Sequence, residues 1–188
     1  MSNLLAIDPG NLESGWALLD VSTRAPIAFG KATNAQVRET LQDALTAPDG
    51  VAVAIELIGH YGTGMPAGTS VFDTCREIGR VEQLCQQHGT TPYLVKRATV
   101  KAALCGTGTA KDGHVAQALA DRFAPGSPNR GKGAKDKPGW FYGFAKDAWQ
   151  AYALGVVVAD YLEVPHRYLL GMNQAGVLGV QQPLRRRD

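Results

Sequence analysis

Leu4-Leu5-Ala6-Ile7 is a short apolar run closed by the turn residues Pro9 and Gly10, which predicts a buried strand. Gly15–Val21 and Ala25–Lys31 predict two more strands, and the short links between all three predict an antiparallel meander. Asn34 then fits a helix N-cap, with Val37, Leu41 and Leu45 at helical spacing until Pro48-Asp49-Gly50 ends the helix. Val51–Ile55 is apolar on both faces and so predicts a central fourth strand.

Residues 59–68 hold four glycines and one proline, an irregular loop. A long helix is predicted from Thr69 to His88, with Val71, Cys75, Ile78, Val81 and Cys85 on one apolar face. A fifth strand over Thr91–Val95 precedes helices over Arg97–Leu104 and Asp112–Phe123. Ala124–Gly139, rich in Gly, Pro, Lys and Arg, predicts a mobile loop. A last helix runs from near Ala145 to Leu162, and nothing definite is predicted from Pro165 onward. Strands and helices in this order predict an α/β domain, a mixed five-stranded sheet flanked by helices. Its expected extent is residues 1–164, with 165–188 as a C-terminal tail.

A chain of 188 residues with 45% hydrophobic and 19% charged residues fits one domain with a full core and excludes a disordered protein. No apolar run spans a bilayer, no export signal is visible, and three cysteines without metal-ligand spacing read as reduced thiols; the expected compartment is the cytoplasm. The net charge of +2 is unevenly spread, at −5 over residues 1–92, +6 over 93–137 and +1 over 138–188. An acidic first half beside a basic middle suits an enzyme that holds cations and grips a polyanion.

Three carboxylates stand where chemistry is expected. Asp8 ends the first strand, at the edge where ligands of open α/β sheets collect, although Asp-Pro-Gly is equally the sequence of a plain turn. Glu56 ends an apolar strand, where an ionised carboxylate is costly unless paired or cation-bound; the alternative is a strand-end residue reaching solvent. Asp147 opens the last helix, a place that also suits a simple partner of the helix dipole. Neighbouring parallel first and fourth strands would bring Asp8 and Glu56 to one sheet end, and the small face of Ala148, Ala151 and Gly155 would deliver Asp147 there. Three carboxylates without a His or Cys cluster suit Mg²⁺ or Mn²⁺ and not zinc.

Ala6-Ile7-Asp8-Pro9-Gly10 with Gly15-Trp16-Ala17, Val53-Ala54-Ile55-Glu56, Val100-Lys101, residues 106–111 and Asp147-Ala148-x-x-Ala151-x-Ala153 resemble, in the same order, the blocks of the RuvC Holliday-junction resolvases of the RNase H-like superfamily. The phage- and prophage-encoded RuvC-like proteins are the nearest resemblance, through Phe72-Asp73-Thr74-Cys75, Leu104-Cys105-Gly106, Ala110-Lys111-Asp112 and Asp121-Arg122-Phe123. The resemblance covers about residues 4–160. It implies an RNase H-like fold, a homodimer, four-way DNA junctions as substrate and phosphodiester hydrolysis with Mg²⁺ or Mn²⁺, two ions in all. Residue by residue it implies Asp8, Glu56 and Asp147 as metal ligands and Lys101 as a basic group near the scissile phosphate. Two positions depart from the pattern. Gln150 stands where the family usually has a further acid, which leaves an amide oxygen as an additional ligand without charge. Lys111 falls one residue early, and Asp112, a helix cap or an outer acid, takes its aligned place.

Further DNA contacts are expected from Tyr61 in the glycine loop, from Lys96, Arg97, Lys101 and Lys111 in an acid-free stretch, and from Arg130, Lys132, Lys135 and Lys137 in the later loop. Trp140, Phe141 and Tyr142 read as core anchors, and the long helix with Cys75 and Gly79 as either a dimer face or a helix packed on its own sheet. Two other functions stay open: a nuclease of this fold that acts on flaps, other branched DNA or RNA, and a junction-binding protein weakened in catalysis by Gln150.

Overall fold

Strand alternation divides the core between the two faces of one sheet. The computed structural model describes residues 2–59, 68–164, 167, 170–172 and 176–180. In β1 (Asn3–Asp8), Leu4 and Ala6 point to one face and Leu5 and Ile7 to the other. β4 (Val51–Leu57) repeats the pattern, with Ala52 and Ala54 on the first face and Val51, Val53 and Ile55 on the second. A strand buried on both sides needs helices on both sides. α1 (Asn34–Thr46) and α2 (Thr69–Gln87) cover the second face; α3 (Arg97–Cys105), α4 (Asp112–Phe123) and α5 (Lys146–Glu163) cover the first.

β2 (Glu13–Asp20) and β3 (Pro26–Thr33) form the expected antiparallel meander with β1, while β4 and β5 (Tyr93–Lys96) run parallel beyond it. β1 is therefore sandwiched between β2 and β4. The sheet order is β3-β2-β1-β4-β5-β7-β6. β6 (Leu170–Met172) and β7 (Val177–Val180) are two strands more than the five predicted, and both lie beyond Pro165. β7 runs parallel to β5 and buries Leu178 against the first face. β6 and β7 both fall in the stretch for which the sequence predicts nothing definite.

α5 lies directly on the sheet because both surfaces are small where they meet. Ala6, Ala17, Ala52 and Ala54 line the sheet beneath it, and a Cβ at Gly155 would collide with Leu19 and crowd Ala6 at 3.2 Å. The far end of α5 is tied down by Asp160, which is fully buried and pairs with Arg24, Arg122 and Arg167 at 2.8, 2.6 and 3.1 Å.

Three local expectations change. The α1 cap is Thr33, which forms a reciprocal capping box with Gln36; Asn34 turns its side chain elsewhere. Cys75 is exposed and does not share the buried face of Ile78, Val81 and Cys85 on α2. Residues 124–139, predicted as a mobile loop, fold onto α4: a short 3-10 helix spans Pro128–Gly131, and Gly133 bridges Pro138. Phe141 is fully buried, and Trp140 stacks on Phe123 at 5.2 Å and donates to the Tyr152 hydroxyl at 3.0 Å, while Tyr142 stays exposed. The aromatic cluster that follows the glycines supplies the apolar anchorage that the loop's own composition lacks.

Candidate functional site

Strand register places the first two carboxylates side by side. Ile7 pairs with Ile55 in the parallel β1–β4 ladder, so Asp8 and Glu56 are the next residues out at the same sheet end. Asp8 pairs across the other ladder with Gly15 on β2. Gly15 is where α5 begins its approach: a Cβ there would lie 2.9 Å from the Asp147 carbonyl oxygen and 3.2 Å from the Asp147 Cβ. The missing side chain thus brings Asp147 over β2, with Asp8 on β1 between it and Glu56 on β4.

The turn after Asp8 is braced by Asn34 and Ser14, neither of which the sequence marks for that role. Asn34 donates through Nδ2 to the Gly10 carbonyl at 3.0 Å and accepts from the Ser14 hydroxyl at 2.7 Å. Lys31 lies opposite Gly15 on β3, and its ammonium contacts Asp147 at 3.4 Å and Glu13 at 3.1 Å. No short-range pattern assigns Lys31 or Asn34 to the site; each reaches it only through strand pairing or a long-range hydrogen bond.

Arg97 enters the site from the opposite side, at the first position of α3. Its Nη1 lies 2.9 Å from Glu56 and 3.8 Å from Asp8, and its Nη2 lies 3.1 Å from Asp112. Asp112 in turn contacts the Lys101 ammonium at 3.2 Å. Asp112 is the first residue of α4 and not its cap, so its carboxylate is free to bridge two cations. A cleft of about 320 Å³ opens here, lined by Asp8, Pro9, Glu56, Leu57, Ile58, Gly59, Thr74 and Arg97.

Burial sets the electrostatics of the cluster. Glu56 is pushed up to about 7, first by loss of water and then by the Asp8 charge, with Arg97 pulling the other way. Asp8 rises to about 6 from burial, opposed by Arg97 and reinforced by Asp147 and Asp112. Burial would also raise Asp112, but Arg97 and Lys101 override it and hold the carboxyl below its usual value. Arg97 stays protonated because Glu56, Asp8 and Asp112 outweigh its own burial.

The other expected contacts are scattered more widely. Gln150 is half-buried one turn into α5, and Lys96 and Lys111 are exposed. Arg130, Lys135 and Lys137 are exposed and Lys132 half-buried on the folded segment before α5. Arg130 is the one arginine among the described residues that forms no ion pair there. Tyr61 lies outside the described residues.

As a chemical set, Asp8, Glu56, Asp147 and the Gln150 amide offer only oxygen donors, and two of the acids are short of compensating charge. That fits a hard divalent cation. Among the described residues, however, no three such side chains form a ready chelating cluster. Arg97 bonds Glu56 and approaches Asp8 at 3.8 Å, and Lys31 engages Asp147.

A sheet in which an antiparallel meander leads into parallel strands, with helices on both faces, defines a mixed α/β fold. No protein-family model matches the chain. No curated protein matches it either. Among solved structures the chain is similar to Thermus thermophilus RuvC, at 18% identity and a TM-score of 0.62, covering 87% of this chain and 96% of that one. It is also similar to T. thermophilus RuvC in complex with Holliday junction substrate, at 18% identity and a TM-score of 0.65, covering 88% and 97%. The fold is RuvC-like, as the sequence resemblance implies. No helix among the described residues is long and apolar enough to cross a membrane.

Proposed function

We propose that the chain is a divalent-metal-dependent, structure-selective endodeoxyribonuclease that cuts four-way DNA junctions, of the kind encoded by phages and acting in the host cytoplasm. The observation that carries this reading is the convergence of Asp8, Glu56 and Asp147 at one end of a RuvC-like sheet. Two Mg²⁺ or Mn²⁺ ions held there would supply an activated water and neutralise charge at the phosphate. Asp8, Glu56 and Asp147 are the ligands, and Gln150 adds a neutral amide donor. Lys101 approaches the scissile phosphate from α3, with Arg97 beside it. A four-way junction presents two symmetric cut sites, which suits a homodimer. The exposed Phe72, Cys75 and Gly79 on α2 supply a face for it.

The test is cleavage of a synthetic mobile junction, a flap, a duplex and an RNA–DNA hybrid at matched salt, with Mg²⁺, with Mn²⁺ and in EDTA. Metal-dependent paired nicks in the junction alone are expected. Preferential cutting of flap or hybrid would move the activity to another substrate of the same fold. A second reading, a junction binder without catalysis, is favoured by Gln150 in place of an acid; tight binding with no cutting in either metal would establish it.

DNA contact by the folded 124–139 segment has its own measure. Lys132, Lys135 and Lys137 form no ion pair among the described residues, and each phosphate contact contributes about 0.9 to the salt slope of binding. Replacing all three by Gln is expected to flatten the slope by up to about 2.7 without moving the cut positions. Junction binding followed by fluorescence anisotropy across a salt series reads this directly; an unchanged slope removes the segment from the interface.

A further inference from the structure

Arg97 is the one cation among the described residues that touches both Asp8 and Glu56. Its Nη1 lies 3.8 Å from one and 2.9 Å from the other, so a divalent ion shared by those carboxylates would compete with it. A guanidinium and such an ion cannot occupy the inner faces of the same two acids, because like charges at contact distance repel strongly where water is scarce. Yet Arg97 is not held by these acids alone. Its second nitrogen is already bonded to Asp112, whose other oxygen contacts Lys101. Asp112 is half exposed and lies outside the pair, so the side chain has a resting place that needs only a pivot away from Glu56.

Resting on the metal-dependent reading above, we propose that Arg97 is a resident counter-ion: it keeps Asp8 and Glu56 together in the metal-free protein and swings toward Asp112 when a divalent cation enters. Arg97 and Lys101 share one carboxylate in the free protein, at distances at which they would also share a phosphate. A DNA phosphate that draws Arg97 outward vacates the acids, so metal and DNA each favour the other's binding. Arg97 acts here as a positioning residue, setting when the acids are available.

The test measures metal binding as well as activity. Mn²⁺ titration of the DNA-free protein by calorimetry is expected to show Arg97→Gln binding on the order of tenfold more tightly than wild type, with Arg97→Lys in between. In EDTA the Gln variant melts below wild type, and its gain in melting temperature on adding Mn²⁺ is larger. Equal or weaker Mn²⁺ affinity in a folded Arg97→Gln protein overturns the proposal. Should that variant not fold without metal, the wild type answers alone. Saturating Mg²⁺ is expected to speed exchange of the Arg97 guanidinium protons by NMR, and unchanged exchange overturns the proposal. Absence of any divalent binding by wild type removes the metal-dependent function itself, and this inference with it.

Discussion

Glu56→Gln is expected to abolish junction cutting, to leave junction binding intact and to make the metal-free protein more stable at pH 8. The last effect follows from the direction of its ionisation. Glu56 titrates near 7 and Asp8 near 6 in the fold, against 4.5 and 3.8 for unperturbed side chains. The folded state therefore binds more protons than the unfolded chain across that window. Stability from these groups is fully present below the unfolded values and is lost as pH rises through the folded ones. At pH 8 the ionised Glu56 costs the metal-free fold on the order of a few kcal/mol. A neutral Gln removes that cost while its amide oxygen still accepts from Arg97. Melting in EDTA should rise by several degrees at pH 8, and the difference should vanish near pH 4. A Glu56→Gln protein that cuts junctions at the wild-type rate removes Glu56 from the chemistry, and one that melts lower at pH 8 removes the electrostatic account.

Asp160→Ala is expected to do the reverse, with a large loss of stability and little change in chemistry. Asp160 is fully buried and accepts from Arg24, Arg122 and Arg167, so its removal takes the shared carboxylate from three guanidinium groups, of which Arg24 keeps Glu163 and backbone carbonyls as partners. Breaking a buried pair from one side costs about 3–5 kcal/mol, or roughly 10 °C in melting temperature at this chain length. The network joins the β2–β3 turn, α4 and the end of α5, 13 residues and about 20 Å along the helix from Asp147. Below its melting temperature the variant should therefore still cut. Thermal denaturation with a junction assay at low temperature separates the two outcomes. A loss under about 1 kcal/mol would mean that solvent reaches the three arginines, and cutting lost in the folded variant would place the network in the site.

Much of this arrangement is legible in the chain itself. The first five strands and five helices follow from apolar runs and periodicity, and Asp8, Glu56 and Asp147 are visible as acids at the ends of elements that should be buried. The same logic fails where the deciding partner is far away. Asn34 looks like a helix cap, because local chemistry favours it there; the backbone prefers Thr33, and the Asn34 side chain reaches back across the sheet to Gly10 and Ser14. The glycine- and lysine-rich stretch reads as mobile until Phe123 and Trp140 are seen to stack behind it.

The amino-acid order alone determines which segments must hide from water and which carboxylates end at a desolvated edge, because burial and periodicity are properties of neighbours along the chain. Only the tertiary structure decides what surrounds those carboxylates: Arg97 between Asp8 and Glu56, Lys31 against Asp147, and Asp112 bridging two cations. Side chains far apart in sequence meet through strand register and helix packing, and the strength of a charge's field depends on distance and burial in space.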